Sequence, residues 1–362
     1  MGSPITFLDG RVTLHCGDCL AVLKTLPDDS VDCVVTSPPY WGLRDYGVDG
    51  QLGLEPTLGE HLDAMIAVFD EVRRVLKPTG TCFVNYGDCY ATSVNGRSAA
   101  DTKAAGNDDR TFRDKPFSTV QGAMKPKDLC MVPNRFAIAM QESGWWVRSE
   151  IIWAKPNPMP ESVTDRPATS HEKIWLFTKS GRYDWDAGAV RQIQKYHGLK
   201  NQDESGFKDP RSFNGKHKEG YRSSDKQRGH SRRHADFNDR WDLMSREEQQ
   251  ANGRNLRNYE PAPVDVWNIA TQPFSEAHFA TFPVTLAERA ILAGCPKGGV
   301  VLDPFGGSGT TALAALRHGR TAQLIELNPE YAAMARKRIE REWKVFQEPS
   351  EKDFGPLFRE AV

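Results

Sequence analysis

Val300-Val301-Leu302-Asp303-Pro304-Phe305-Gly306-Gly307-Ser308-Gly309-Thr310-Thr311 joins a short apolar run to a glycine-dense turn and then to the start of a helical pattern. The apolar run reads as a buried strand. Glycines in the turn let the backbone approach a ligand closely, and the first turn of a helix offers unpaired N–H groups that favour an anion. Glu326 follows the next apolar run, 20 residues after Gly306 (326 − 306). That spacing suits a carboxylate accepting hydrogen bonds from both ribose hydroxyls of an adenosine-containing cofactor. A phosphate-cradling loop requires a lysine before its Ser/Thr, where this chain has Gly309, and a dinucleotide turn reads G-x-G-x-x-G rather than G-G-x-G. Two readings of the segment stay open: a plain glycine turn, and a site for S-adenosylmethionine, whose methionine carboxylate takes the place of a phosphate.

Working outward, strands and helices alternate. Residues 282–293 read as a helix, 299–302 as a strand, 310–318 as a helix, 322–325 as a strand and 329–343 as a helix. In the N-terminal half, a strand at 12–16 and a helix at 19–26 precede an apolar strand at 31–35. That strand runs into Ser37-Pro38-Pro39-Tyr40, where two prolines stop it. Leu62, Met65, Ile66, Phe69, Val72 and Leu76 share one face of a helix predicted over 59–76. Thr57 and Glu60 have capping-box spacing before it, and Lys77-Pro78-Thr79-Gly80 is expected to end it. A strand at 81–86, a helix at 133–142, strands at 145–153 and 173–177, and an apolar run at 264–269 complete the series. This alternation implies an α/β fold with a mostly parallel sheet covered on both faces.

Apolar residues make up 39% of the 362 residues, enough for a substantial core, and charged residues make up 26%. The sequence shows no apolar run long enough to span a membrane and no basic-then-apolar leader, which reads as a cytoplasmic protein. Seven cysteines, an odd number, suggest free thiols rather than a disulfide framework. Cys16-Gly17-Asp18-Cys19 lacks a second pair at ligand spacing, so no metal site is expected. The net charge is −1, yet residues 191–233 hold 12 Lys/Arg against 5 Asp/Glu, a local excess of +7. Residues 87–127 lose all periodicity and read as a mobile loop. The expected organisation is a first catalytic part at 1–186, a basic insertion at 187–259, a cofactor-binding part at 260–343 and a tail at 344–362.

Taken together, Asp303-Pro304-Phe305-Gly306-Gly307-Ser308-Gly309-Thr310-Thr311 and Thr36-Ser37-Pro38-Pro39-Tyr40 resemble the amino-methyltransferase superfamily acting on DNA. The tetrapeptide precedes the glycine turn with a long polar segment between them, an order similar to the beta group. The resemblance covers roughly residues 8–90, 130–185 and 264–343. It implies a Rossmann-like methyltransferase fold with a mixed, mostly parallel seven-stranded sheet, helices on both faces and an inserted target-recognition region. By the same resemblance, Asp18 meets the cofactor adenine, and His278 and Thr281 belong to a segment closing over its methionine end. Asp303, Phe305, Gly307, Gly309 and Thr310 form the turn around the cofactor. Lys155, Asn157 and Arg166 lie in loops close to the target base. Arg191, Lys195, Lys216, Arg228, Arg232 and Arg233 are the candidate phosphate and base contacts of the insertion.

The chemistry suits those residues. An exocyclic amine is a poor nucleophile because its lone pair is delocalised into the base ring. Accepting hydrogen bonds from both of its N–H groups pushes the nitrogen towards tetrahedral geometry. Ser37 Oγ and the Pro38 carbonyl are the available acceptors, Pro39 stiffens the loop, and Tyr40 and Trp41 are the aromatics placed to stack on a flipped base. No Pro-Cys dipeptide occurs, which disfavours methylation at cytosine C5. Within the family, Ser in the first position is usual for cytosine N4 and Asp or Asn for adenine N6. A serine hydroxyl is also able to donate to cytosine N3. Cytosine N4 is therefore expected, with adenine N6 as the alternative. Rival readings are an RNA or protein-glutamine methyltransferase, a catalytically idle DNA-binding relative and a nicotinamide-dependent dehydrogenase. Double-stranded DNA is the expected partner. No nuclease motif is present, so any cognate restriction endonuclease is a separate protein, and whether the chain forms a homodimer is left open.

Overall fold

The computed structural model describes residues 3–43, 47–92, 119–190, 264–271 and 282–347. All of them except Val264 belong to one unit assembled from Met1–Val190 and Asp265–Val362. A second unit, Arg191–Val264, lies outside the described residues except for Val264. The basic insertion and its six candidate contacts fall there.

The strands are β1 (Ile5–Phe7), β2 (Val12–Cys16), β3 (Val31–Thr36), β4 (Leu76–Tyr86), β5 (Trp146–Ala154), β6 (His171–Thr178), β7 (Val266–Asn268), β8 (Val300–Asp303) and β9 (Thr321–Glu326). The helices are α1 (Cys19–Leu23), α2 (Leu58–Val75), α3 (Val132–Glu142), α4 (Val284–Gly294), α5 (Thr310–Arg317) and α6 (Pro329–Gln347). Among the described residues, the nine strands form one sheet in the order β1-β2-β9-β8-β3-β4-β6-β5-β7. The seven strands from β2 to β5 form the expected sheet, and β1 and β7 extend it at either edge. β6 runs antiparallel to both its neighbours and β1 antiparallel to β2, while the other neighbours pair in parallel.

β3 sits near the middle, and all six of its residues are buried. Such a strand needs no alternation of apolar and polar residues because both its faces are covered. Its side chains divide between two cores. Val34 joins the layer beneath α1, α2 and α3, with Leu23, Val72 and Phe136, whereas Cys33 and Val35 join the layer beneath α4, α5 and α6, with Ala287, Leu313 and Ile339.

The predicted capping box forms: Glu60 N donates to Thr57 Oγ1 at 3.1 Å, and Thr57 N donates to Glu60 Oε2 at 3.0 Å. The far end of that helix differs from expectation. Lys77-Pro78-Thr79-Gly80 is not a separate turn, because β4 begins at Leu76 and the β3–β4 register shifts between Val31 and Cys33. Gly80 permits the irregularity, since a Cβ there would lie 2.6 Å from Leu76 Cδ1 and 2.9 Å from Asp32 O. The ends of the stretch expected to be a mobile loop are tied together. Ala91 N donates to Asp128 O at 2.7 Å and Lys127 N to Ala91 O at 2.8 Å, while residues 93–118 lie outside the described set. Among the described residues, no helix is long and apolar enough to cross a membrane.

Phe136 of α3 holds the α2–α3 layer to the sheet. Its ring lies 5.2 Å from Phe69, 5.2 Å from Tyr86 and 5.8 Å from Phe177. Phe136→Ala is expected to cost about 3–5 kcal/mol of stability, read as a lower urea midpoint with an unchanged slope.

Candidate functional site

β3 and β8 pair in parallel, with Cys33 opposite Val301 and Val34 opposite Leu302. Their carboxyl ends therefore emerge side by side, and the loops that follow begin with Ser37 and Pro304. β2 and β9 also end together, with Cys16 opposite Glu326. Four strand ends from distant parts of the sequence thus converge on one edge of the sheet, where open α/β sheets place their ligands.

A cleft at that edge encloses about 980 Å³ of empty space, its open mouth included. Asp18, Ser37, Pro39, Asp303, Phe305, Gly306, Gly307, Ser308, Thr310 and Glu326 are among its lining residues. Gln51, Leu52 and Tyr331 also line it. Glu326 is fixed from both flanks: Gly307 N donates to its Oε2 at 2.8 Å and Asn328 N to its Oε1 at 2.9 Å. Burial raises its pKa. Asp18 caps α1, accepting from Ala21 N at 2.8 Å. The charge of the lining separates the ligands considered above. Asp18, Asp303 and Glu326 line the cleft, and no Lys, Arg or His does so among the described residues. A phosphate would meet carboxylates with no cation to offset them, whereas a sulfonium-bearing nucleoside fits that set.

Asp303, expected to pack around the cofactor, is 2% exposed and accepts from three groups. Thr36 Oγ1 donates to Oδ1 at 2.6 Å, Phe305 N to Oδ1 at 3.1 Å and Thr311 Oγ1 to Oδ2 at 2.7 Å. Burial pushes its pKa up to about 6 despite these donors. Gly307 (φ +49°) lines the cleft, but Gly309 does not. Gly309 caps α5 at φ +80°, and a Cβ there would lie 2.6 Å from Ile339 Cδ1, so its glycine serves the packing of α6. Arg338 of α6, not singled out from the sequence, holds the same turn. Its Nη1 donates to Ser308 O, Ser308 Oγ and Thr310 Oγ1 at 3.1, 2.8 and 3.0 Å.

Behind Ser37 lies a hydrogen-bonded group that sequence reasoning missed. Ser37 Oγ donates to Tyr40 Oη at 3.1 Å, and Tyr40 Oη donates to Glu172 Oε2 at 3.0 Å. Asn85 Nδ2 donates to Tyr40 Oη at 3.0 Å and to Glu172 Oε2 at 2.8 Å. Lys155 Nζ donates to Glu172 Oε1. Asn85 Oδ1 is buried without a hydrogen-bond partner among the described residues. The Tyr40 ring stacks on Tyr86 at 5.4 Å and 17°. Gly87 makes room for it, as a Cβ there would fall 2.3 Å from Tyr40 Cε2. The visible signal was weak: one acidic residue, Glu172, just inside a strand, and a polar Asn85 near the end of another.

Several expected DNA contacts have other partners. Trp41 is 1% exposed and its indole N–H donates to Glu55 O at 2.9 Å, so it is a core residue and not a stacking platform. Besides its bond to Glu172, the Lys155 ammonium lies 4.4 Å from the centre of the Trp153 ring. Asn157 clamps Thr271 through Nδ2 to Thr271 O at 3.1 Å and Thr271 N to Oδ1 at 2.9 Å. Arg166 stacks 3.7 Å over Tyr90 and bonds Glu161 Oε2 at 2.8 Å. His278 and Thr281 lie outside the described residues.

With this geometry in view, the chain was compared with known proteins. A family model described as DNA methylase matches residues 31–337. The type II methyltransferase M.Cfr9I of Citrobacter freundii is 40% identical over 330 residues, covering 91% of this chain and 88% of that protein. M.SmaI of Serratia marcescens, also a type II methyltransferase, is 38% identical over 327 residues, covering 90% and 89%. Among solved structures, the cytosine-N4-specific PvuII DNA methyltransferase shares the fold, with a TM-score of 0.55 at 19% identity, covering 93% of this chain and 91% of that one. TTHA0409 of Thermus thermophilus, named as a DNA modification methylase and solved with S-adenosyl-L-methionine, aligns with a TM-score of 0.50 at 26% identity, covering 91% and 93%.

The raised pKa of Asp303 gives the site a pH signature. Its favourable share of folding is complete below its ordinary value of 3.8 and is lost as pH rises through about 6. Asp303→Asn removes that titration, so its unfolding free energy is expected to gain on the wild type from pH 4 to pH 7 and to run parallel above. Urea titrations across that range check this.

Proposed function

The chain belongs to the N6/N4 DNA methylase family and uses S-adenosylmethionine, and from that premise we propose that it methylates the exocyclic N4 amino group of a cytosine flipped out of double-stranded DNA. The observation that carries this reading is that Ser37 and Pro39 line the same cleft as Glu326 and the glycine turn. Serine at the first tetrapeptide position favours cytosine.

The roles follow from the residues at hand. Glu326 would accept hydrogen bonds from the ribose hydroxyls, Asp18 would meet the adenine edge, and the first turn of α5 would face the methionine carboxylate. When bound, S-adenosylmethionine supplies a methyl group on a sulfonium leaving group. Ser37 Oγ and the Pro38 carbonyl accept the two amine N–H groups and turn the nitrogen lone pair out of conjugation. Positioning of this kind supplies much of the rate. One face of Tyr40 is occupied by Tyr86, so only the other is available to a base. Adenine N6 stays as the second reading for a specific reason: the Ser37 hydroxyl hydrogen points to Tyr40, so Ser37 does not donate to cytosine N3 in this arrangement. What remains on Ser37 is acceptor capacity, which either base amine satisfies.

We further propose that residues 187–259 hold the target-recognition element, on the strength of the +7 charge over residues 191–233. A separate cognate restriction endonuclease is a further part of this proposal, in keeping with the type II methyltransferase names of the relatives.

Labelled cofactor, DNA and digestion to nucleosides test the base: N4-methylcytosine supports the lead reading, N6-methyladenine replaces it, and no labelled nucleoside rejects both. Glu326→Ala is expected to weaken cofactor binding at least 10-fold by titration calorimetry, about 1.4 kcal/mol. Replacing Arg228, Arg232 and Arg233 with alanine is expected to flatten the log–log salt dependence of DNA binding by about 0.9 for each phosphate no longer neutralised. An unchanged slope would remove those three residues from the interface.

A further inference from the structure

Glu172 stands 132 residues from Tyr40 in sequence, and its carboxylate faces three donors: Tyr40 Oη, Asn85 Nδ2 and Lys155 Nζ. An ionised carboxylate only accepts. The Tyr40 hydrogen must therefore point at Glu172, because two oxygens 3.0 Å apart without a hydrogen between them repel. The same carboxylate sets the Asn85 amide, whose NH₂ faces it and leaves Oδ1 on the other side without a partner among the described residues. Tyr40 oxygen, its own hydrogen committed, is then an acceptor for Asn85 and for Ser37. Ser37 gives its hydrogen to Tyr40, and both its lone pairs remain for other donors.

We propose that Glu172, held by Lys155, is a positioning residue that fixes the polarity of this chain of hydrogen bonds and so makes Ser37 a dedicated acceptor for the target amine. The proposal rests on the reading of Ser37 as the amine acceptor and extends it to a residue that does not line the cleft. It also assigns Lys155 a task different from DNA contact near the target base: its ammonium keeps the second carboxylate oxygen occupied. Tyr40 acts as the transmitter, with its ring held in place by Tyr86 and by the absent side chain of Gly87.

Glu172→Gln is the discriminating change, because a carboxamide has one accepting and one donating edge and must turn its NH₂ towards either Tyr40 or Lys155. Facing Tyr40, it reverses the chain: Tyr40 donates to Ser37, and the Ser37 hydrogen turns towards the amine. The expected result is a kcat about 100-fold lower, comparable to losing one oriented polar group at a reacting centre, with the KM for cofactor and the melting temperature unchanged. The effect must run through the Tyr40 hydroxyl. Tyr40→Phe is expected to lower kcat similarly, and Glu172→Gln made in the Tyr40→Phe background should add less than about threefold. A merely structural Glu172 would lower activity alike in both backgrounds, and such additivity overturns the proposal. Wild-type kcat in either single variant also overturns it, and Tyr40→Phe remains a test if Glu172→Gln fails to fold. Ser37→Ala separates the two levels: if it retains full activity, the acceptor reading itself is wrong. If it is inactive while Glu172→Gln is fully active, only the role of Glu172 is.

Discussion

Asp303 sits where the end of β3, the glycine turn and the first turn of α5 meet, and each of its oxygens is used. Thr36 binds it one residue before Ser37, Phe305 binds it from within the turn, and Thr311 binds it from the helix. A buried carboxylate is costly unless its lone pairs are satisfied. Here the donors come from three segments, so satisfying one group fixes the relative position of all three. The glycine turn and the end of β3 that leads into Ser37 are thereby tied to a single side chain. Asp303 is only 2% exposed, which explains why its pKa rises although three donors favour the charged form.

The sheet order makes this possible. β8 and β9 come from the last fifth of the chain yet lie between β2 and β3 from the first tenth. Without that interleaving, Ser37 and the glycine turn would emerge at separate places. With it, the four strand ends carry Asp18, Glu326, the first turn of α5 and Ser37 to one edge. Carboxylates dominate the lining, which suits a cationic cofactor. Two basic residues next to these motifs are spent internally: Lys155 on Glu172 and Arg338 on the glycine turn.

The alternating elements were legible because periodicity is a local property. The Thr57–Glu60 box, the buried run of β3, the strand–turn–helix around Gly306 and the acid at Glu326 all depend on neighbours within a few residues or one supersecondary unit. Even β1, too short to show a period, left a local trace: Asp9-Gly10 forms the hairpin turn into β2, with positive φ at both residues. Partners across the sheet were not legible. Trp41 after the tetrapeptide looked like a stacking residue, and only the packing around Glu55 makes it core. Lys155, Asn157 and Arg166 were placed near the target base by resemblance to the family, and a sequence does not display the partners that occupy them here.

By itself, then, the sequence determined the fold class and marked the glycine turn, the acid at Glu326 and the Ser-Pro-Pro-Tyr tetrapeptide, since each is written in contiguous residues whose backbone preferences and spacing act locally. Tertiary structure alone decided that Asp303 joins the two motifs, that Gly309 serves helix packing rather than the cleft, and that Glu172 reaches Tyr40. Those outcomes depend on which strands become neighbours. A hydrogen bond between residues more than a hundred positions apart leaves no period in the sequence, only two polar residues in otherwise apolar surroundings.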